Sequence, residues 1–382
     1  MSGTRRLSRR ALNRATLARQ LLLDRAELPV VEGVRRVLAL QSQEPASPYL
    51  ALAARLEGFE ADAVDAAYRA GELVRGTLMR MTIHTVAAAD YPVLQGTMAK
   101  RMWGARLAEP RFLAAGVPAS AVLEALPGLL GFMAEPRTKD EIDDWLGQRL
   151  GVRHERIWWA LRSFAPVWHV PNGGPWAFVR GHGFRAAAAP AVEPWQEAAA
   201  KALRRYLAAF GPATVADVAR FTILTRDMVR EAVKAAGDTI ARLEGPGGAE
   251  LLDVPGAPLP DEDAPAPPRL LPMWDGVVLA HEPPGRVLTP EVRPAVVKRN
   301  GDVLPVALVD GEAAGVWRPV EGGVEVTASR RLTPAEWDGL AEEAQRLAPV
   351  LERDARLYAR FGHWFEGLGG AETRVLPARS GG

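Results

Sequence analysis

Leu73-Val74-Arg75-Gly76-Thr77-Leu78-Met79-Arg80-Met81-Thr82-Ile83-His84-Thr85-Val86 is where the hydrophobic period of this chain changes. Before it, apolar residues recur at helical spacing. Leu7, Leu12, Leu17, Leu21 and Leu22 define one face over residues 7–24, with arginines on the other. A second helix is expected from about Val31 to Gln43 and a third over 61–71, closed by Gly71. Within 73–86, β-branched and basic residues nearly alternate, which predicts a strand or hairpin. Helices followed by a two-stranded wing make a winged-helix unit. On this reading Arg80, Thr82 and His84 stand at alternate positions and share one face.

The same order returns twice. Asp90 reads as the cap of a helix running to about Leu107. Residues 119–133 are helical, and Thr138-Lys139-Asp140-Glu141 is a capping box opening a helix that Gly151 closes. Residues 153–163 are a candidate recognition helix, and Val167–Val170 and Trp176–Arg180 flank Asn-Gly chemistry expected at a hairpin tip. A third copy has helices at about 192–210, Thr214 to Phe221 and Thr225 to Ala236, then strands at 239–243 and 249–254. The proline- and acid-rich residues 255–268 read as a linker. Short strands follow at Arg269–Leu271, Val277–Leu279, Ala295–Lys298, Val306–Val309, Ala314–Arg318 and Val324–Ala328. Thr333 caps a last helix to about Leu347, and 373–382 reads as frayed. The expected fold class is α+β. Three tandem winged-helix units occupy 1–110, 111–190 and 191–254, and a small β-barrel-like module with a C-terminal helix occupies 269–382.

With 382 residues, two to four modules are expected. A hydrophobic content of 48% with 24% charged residues reads as soluble and globular. No run approaches the ~20 apolar residues of a membrane span, and Met1 to Arg6 lacks the apolar core of a secretory signal. The absence of cysteine excludes disulfides, thiolate metal sites and cysteine nucleophiles, and a cytoplasmic location is the simplest expectation. Six scattered histidines with no H-E-x-x-H pair argue against a protein-bound metal, and no cofactor is expected. The net charge of +1 is uneven. Arg5, Arg6, Arg9, Arg10, Arg14 and Arg19 precede the first acid, and Arg75, Arg80, Lys100, Arg101 and Arg106 form a second basic set. Basic stripes suit nucleic acid, and equally the solvated faces of helices.

Leu38-Ala39-Leu40-Gln41-Ser42-Gln43-Glu44-Pro45 carries the candidate chemistry. Pro45 should end the second helix near Gln43 or Glu44, leaving two glutamines where the chain turns. Each offers an amide donor and a carbonyl acceptor. Taken alone, the pair reads equally as turn residues that bond the backbone. Glu44 is an ionisable rival for a catalytic role, or a plain turn residue before proline. His281-Glu282-Pro283-Pro284-Gly285-Arg286 is a candidate hairpin tip whose Arg286 could enter a minor groove, or an ordinary turn. Trp158, Trp159, Trp168 and Trp176 read as core rather than as base-stacking platforms.

Four stretches, in this order, resemble the winged-helix DNA glycosylase family of the AlkZ and YcaQ type, which removes alkylated bases: Leu38 to Gln43, Arg75 to His84, Leu270 to Asp275 and Val309 to Arg318. The family's catalytic motif is glutamine, an apolar residue, then glutamine or aspartate. Gln41 and Gln43 match its outer positions, and Ser42 departs from its middle one. The resemblance implies a basic concave channel for duplex DNA and a hairpin of the β module that probes the minor groove. On it, Arg75, Arg80, Thr82, His84, Trp274 and Arg286 become candidate DNA contacts, with Arg80 on phosphate and His84 near the lesion.

Glutamine is no general base, so the substrate has to help. A purine alkylated on a ring nitrogen is already cationic and departs as a neutral base. The protein then needs only to hold a water and steady a sugar cation, which uncharged amides can do. The expected activity is a monofunctional, metal-free DNA glycosylase acting as a monomer on alkylated purines in duplex DNA. A self-resistance protein against a DNA-alkylating natural product would share that chemistry. A non-enzymatic winged-helix regulator is the alternative, and it would prefer one operator over any lesion.

Overall fold

Ser8 accepts a hydrogen bond from the Ala11 amide at 3.0 Å and opens helix α1 (Arg9–Arg19). The structure, a computed structural model, describes residues 6–179, 181–187, 194–283 and 285–379. Arg5, Arg180, positions 192 and 193, Pro284 and 380–382, on which expectations above fall, lie outside the described residues. Helix α2 (Val30–Arg36) leads to strand β1 (Leu40–Gln41), helices α3 (Ser47–Ala53) and α4 (Ala61–Arg69), and the strands β2 (Leu73–Thr77) and β3 (Ile83–Ala87). Helices α5 (Tyr91–Leu107), α6 (Pro110–Leu113), α7 (Ala119–Phe132), α8 (Lys139–Leu150) and α9 (Glu155–Leu161) precede β4 (Val167–His169) and β5 (Phe184–Ala186). Helices α10 (Trp195–Phe210), α11 (Val215–Thr222) and α12 (Arg226–Ala236) precede the hairpin of β6 (Ala241–Glu244) and β7 (Glu250–Asp253). The remainder holds β8 (Arg269–Leu271), α13 (Gly276–Leu279), α14 (Arg293–Val296), β9 (Val306–Val309), β10 (Glu312–Val320), β11 (Gly323–Ala328), α15 (Pro334–Leu351) and β12 (Glu372–Pro377).

The helix expected to reach Gln43 ends at Arg36. Leu38 takes a left-handed φ of +76°, and Leu40 and Gln41 pair antiparallel with Thr85 and His84. Burial is the reason. Val37 to Leu40 are all covered, and an apolar run buried all round has no period to separate strand from helix. The strands β1-β3-β2-β4-β5 then form one antiparallel sheet, in which Arg75 faces His169. The second hairpin arm is Phe184–Ala186, not the expected 176–180. Trp176 and Phe178 instead meet Tyr49 and Tyr68 edge-on at 5.2 and 4.9 Å, in the core.

The expected barrel-like module is an open antiparallel sheet in the order β12-β11-β10-β9-β8, with β12 and β8 as its edges. Two expected strands are helical: Asp275 caps α13 by accepting from the Val277 amide at 3.0 Å, and residues 293–296 form α14. At α13, capping chemistry wins over β-branched propensity. The tail expected to fray is ordered to Pro377, because β12 adds to the edge of β11. Asp310 and Gly311, with φ of +48° and +77°, make the two-residue turn between β9 and β10. A Cβ on Gly311 would lie 2.6 Å from Arg14 and Asn13, so only glycine fits.

That contact shows what α1 does. Its arginines divide: Arg9 and Arg10 are exposed, as a solvated stripe would be, and the other two are not. Arg14 and Arg19 are buried, Arg14 pairs with Asp310, and Arg19 meets Asp253 at 2.6 and 2.9 Å. Asn13 donates to the carbonyls of Arg286 and Gly311 at 2.9 and 2.8 Å. The residues read as a linker lie along the same helix, with Arg10 and Arg14 donating to the carbonyls of Glu262 and Ala264 at 2.9 and 2.7 Å. Asp90 pairs with Arg205 at 2.7 Å and makes no side-chain cap, whereas Thr138 and Thr333 form full capping boxes with Glu141 and Glu336. Among the described residues no helix is long and apolar enough to cross a membrane.

Candidate active site

Gln41 is the last residue of β1 and stands opposite His84. The ladder runs one bond further, from the Ser42 amide to the Ile83 carbonyl at 2.8 Å. Strand β1 ends at Gln41, and Gln43 lies in the bend that follows. Gln41 is 6% exposed and Gln43 is exposed. Arg80 Nη2 donates to Gln41 Oε1, and the Ile83 amide donates to Gln43 Oε1 at 3.3 Å. A guanidinium and a backbone N–H can only donate, so both amide orientations follow from their partners.

Ser42 fills the buried side of the turn, and its hydroxyl has no hydrogen-bond partner. The Ser42 carbonyl is held from below by Arg75, through Nη2 at 2.9 Å and Nε at 3.3 Å. Arg75 also donates to His169 Nδ1 at 3.2 Å and lies 4.7 Å over the Phe178 ring. Burial pushes its pKa down to about 10. Arg75, a candidate DNA contact on sequence, is buried here and braces the motif from inside.

Arg80 does not alternate with Thr82 and His84 along a strand. It sits in a 3₁₀ turn over Met79–Met81 with a left-handed φ of +54°, followed by Met81 at +55°. This throws its guanidinium against Phe221 of α11, 5.0 Å over the ring. Burial pushes its pKa down to about 10, and Arg220 adds to the effect. Thr82 stays half-buried on the tip, its hydroxyl donating to the Met79 carbonyl at 3.0 Å. His84 is buried, with Nδ1 donating to the Thr82 carbonyl at 3.0 Å. Burial and then the Arg80 charge push its pKa down to about 3, so it is neutral.

Trp274 and Arg286 are corrected as well. Trp274 is buried against Phe361, with its indole N–H on the Gly301 carbonyl at 3.1 Å. Arg286 is buried and donates to Thr16 Oγ1 at 2.8 Å and to the Pro212 carbonyl, tying α1 to the turn after α10. His281 of the expected hairpin tip is likewise buried, donating to the Phe210 carbonyl at 2.9 Å. Arg360 carries no local signal that would mark it. It is 63% exposed, comes from the segment after α15, and pairs with Glu44 at 2.8 Å. Glu44 is half-buried, and burial raises its pKa against the opposing charges of Arg360 and Arg75.

A family model described as "DNA glycosylase AlkZ-like" matches residues 34–350, most of the chain. The chain therefore belongs to the AlkZ-like DNA glycosylases, enzymes that act on the N-glycosyl bonds of DNA. Among solved structures, its fold is similar to that of the Streptomyces sahachiroi DNA glycosylase AlkZ. The TM-score is 0.76 and the identity 23%, over 91% of this chain and 97% of that one. No curated protein sequence matches. The matched region contains Gln41, Gln43, Arg75, Arg80 and His84, whereas Arg360 lies beyond it.

Proposed function

We propose that this DNA glycosylase hydrolyses the N-glycosidic bond of alkylated, cationic purines in duplex DNA, with Gln41 and Gln43 positioning the water and steadying the sugar cation. The C1′–N bond breaks first in this reading. Its electron pair neutralises the charged purine ring, which leaves without protonation. Water then adds its oxygen to C1′ and releases a proton to solvent. The observation that carries the reading is that both glutamines are held by the β2–β3 hairpin, Gln41 by Arg80 and Gln43 by the Ile83 amide, with Gln43 open to solvent. An undamaged purine needs an acid to leave. His84, buried and neutral, does not serve as one, and Glu44 is held by Arg360. Selectivity for charged lesions thus follows from the weakness of the catalytic groups.

The helix-and-hairpin units ending in β2–β3, β4–β5 and β6–β7 would act as three winged helices around the duplex, working as a monomer. Thr82, half-buried on the first hairpin tip, retains the role of a backbone contact. The test is incubation of the purified chain with a duplex bearing N7-methylguanine, then alkaline cleavage of abasic sites. Strand breaks at the lesion are expected with the wild type and lost with Gln41→Ala/Gln43→Ala. Equal cleavage by that double variant would remove both glutamines from the mechanism.

A further inference from the structure

We infer that Arg80 is a positioning residue that sets the hydrogen-bonding polarity of the site. It makes Gln41 a donor and leaves Gln43 as the acceptor, an inference that rests on the reading above. The Arg80 guanidinium occupies Gln41 Oε1, so what Gln41 offers outward is its Nε2–H₂ group. No hydrogen bond from that nitrogen to the protein is found among the described residues, and it is not among the fully buried unpartnered atoms. Gln43 keeps a second carbonyl lone pair beside the one taken by Ile83. A water held by this pair accepts from Gln41 and donates to Gln43. One lone pair of its oxygen is left to meet C1′. Two carbonyls would instead bind both water hydrogens and leave the oxygen free to rotate.

Three further observations place Arg80 here by design of the fold rather than by chance. Its backbone and that of Met81 are left-handed, a conformation that non-glycine residues keep only where the surroundings enforce it. The guanidinium forms no ion pair among the described residues, and its Nη1 is buried without a partner, so the protein keeps a costly cation beside Gln41. Phe221 of α11 closes over it, so an element distant in sequence fixes its position.

The test uses the full chain in two ways. First, side-chain amide NMR of ¹⁵N-labelled free protein follows Gln41, assigned by comparison with Gln41→Glu. In Arg80→Met that resonance should shift and its amide rotation accelerate, and in Arg80→Lys it should stay near the wild-type position. Second, single-turnover excision of N7-methylguanine is measured together with affinity for a duplex carrying a tetrahydrofuran abasic analogue. Arg80→Met should lower the excision rate about tenfold or more while changing affinity by less than about threefold, and Arg80→Lys should recover much of the rate. Gln41→Glu, a carboxylate that accepts and cannot donate, should be slower than wild type by about thirtyfold at neutral pH. In Gln41→Glu/Arg80→Met the rate should rise as the pH falls and the carboxyl regains its proton. The inference is overturned if Arg80→Met leaves the Gln41 amide resonance unmoved, or if Gln41→Glu matches the wild type. A wild type that excises nothing would overturn the proposed activity instead, and the amide spectrum would still decide whether Arg80 holds Gln41.

Discussion

The carbonyl of Ser42 accepts two hydrogen bonds from Arg75, at 2.9 and 3.3 Å, and this fixes the backbone between the two glutamines. Arg75→Met keeps the length of the side chain and removes its donors. The stranded carbonyl costs about 1–3 kcal/mol. Loss of a buried cation that forms no ion pair among the described residues offsets part of that. The expected outcome is a small change in the urea midpoint together with a drop in excision of about tenfold or more, since the motif loses its support. A large loss of stability with an unchanged rate per folded molecule would make Arg75 a purely structural residue.

Arg55 of the segment after α3 and Asp275 at the cap of α13 form a two-bond ion pair at 2.9 and 2.8 Å, each side chain 1% exposed. The pair ties the element that follows the glutamine motif to the C-terminal sheet module. Asp275→Leu leaves Arg55 charged and unpaired in the interior, which costs roughly 3–5 kcal/mol. Arg55→Met/Asp275→Leu removes both charges and should recover most of it. Urea unfolding of the two single variants and the double variant gives the coupling, expected above about 1 kcal/mol.

Stability should fall on mild acidification. Burial pushes the pKa of His84 and of His281 down to about 3, with Arg80 and Arg286 respectively adding to the effect. Above about pH 6.5 both histidines are neutral in the folded and unfolded chains and contribute nothing to the pH dependence. As the pH falls from about 6.5 towards 3, the unfolded chain takes up protons that the folded one does not. Stability therefore drops by about 1.4 kcal/mol per pH unit for each histidine, or ~3 kcal/mol for the two. Burial lowers His169 as well, so urea unfolding at several pH values should show a slope at least this steep, and His281→Gln should reduce it by about 1.4 kcal/mol per pH unit.

Much of the local structure was legible because its causes are local. The alternation over 73–86 gave β2 and β3, and the capping boxes at Thr138 and Thr333 gave the starts of α8 and α15. What failed depends on partners far along the chain. Arg14 and Arg19 look like any exposed helical arginines until Asp310 and Asp253 arrive. Arg80 reads as a phosphate contact until Phe221 closes over it. Leu38 to Gln41 reads as a helix end because nothing local announces that β3 will pair with it. Of the candidate site, the two glutamines were legible as candidates. The braces behind them, Arg75 with His169 and Arg80, and the Glu44–Arg360 pair at the edge, were not.

The hydroxyl of Ser42 is buried without a hydrogen-bond partner. Ser42→Ala removes it without adding volume. The variant should be more stable by about 1 kcal/mol and should excise within about threefold of the wild type, because the carbonyl that Arg75 holds is untouched. Thermal unfolding and single-turnover excision check both halves.

Glu44 offers the decisive comparison between amide and carboxylate catalysis. It neighbours Gln43, burial raises its pKa, and Arg360 at 2.8 Å opposes the rise. A general base works only when deprotonated, so if Glu44 activated the water, excision would fall as the pH drops through that raised pKa. Amides carry no such proton. The expected profile is flat across the neutral range. Glu44→Gln should stay within about threefold of the wild type, while Gln43→Ala falls by about a hundredfold. An acid limb in the wild-type profile that vanishes in Glu44→Gln together with the activity would transfer the water from the glutamine to the carboxylate. The charge state of the departing purine would then no longer be what decides which lesions are cut.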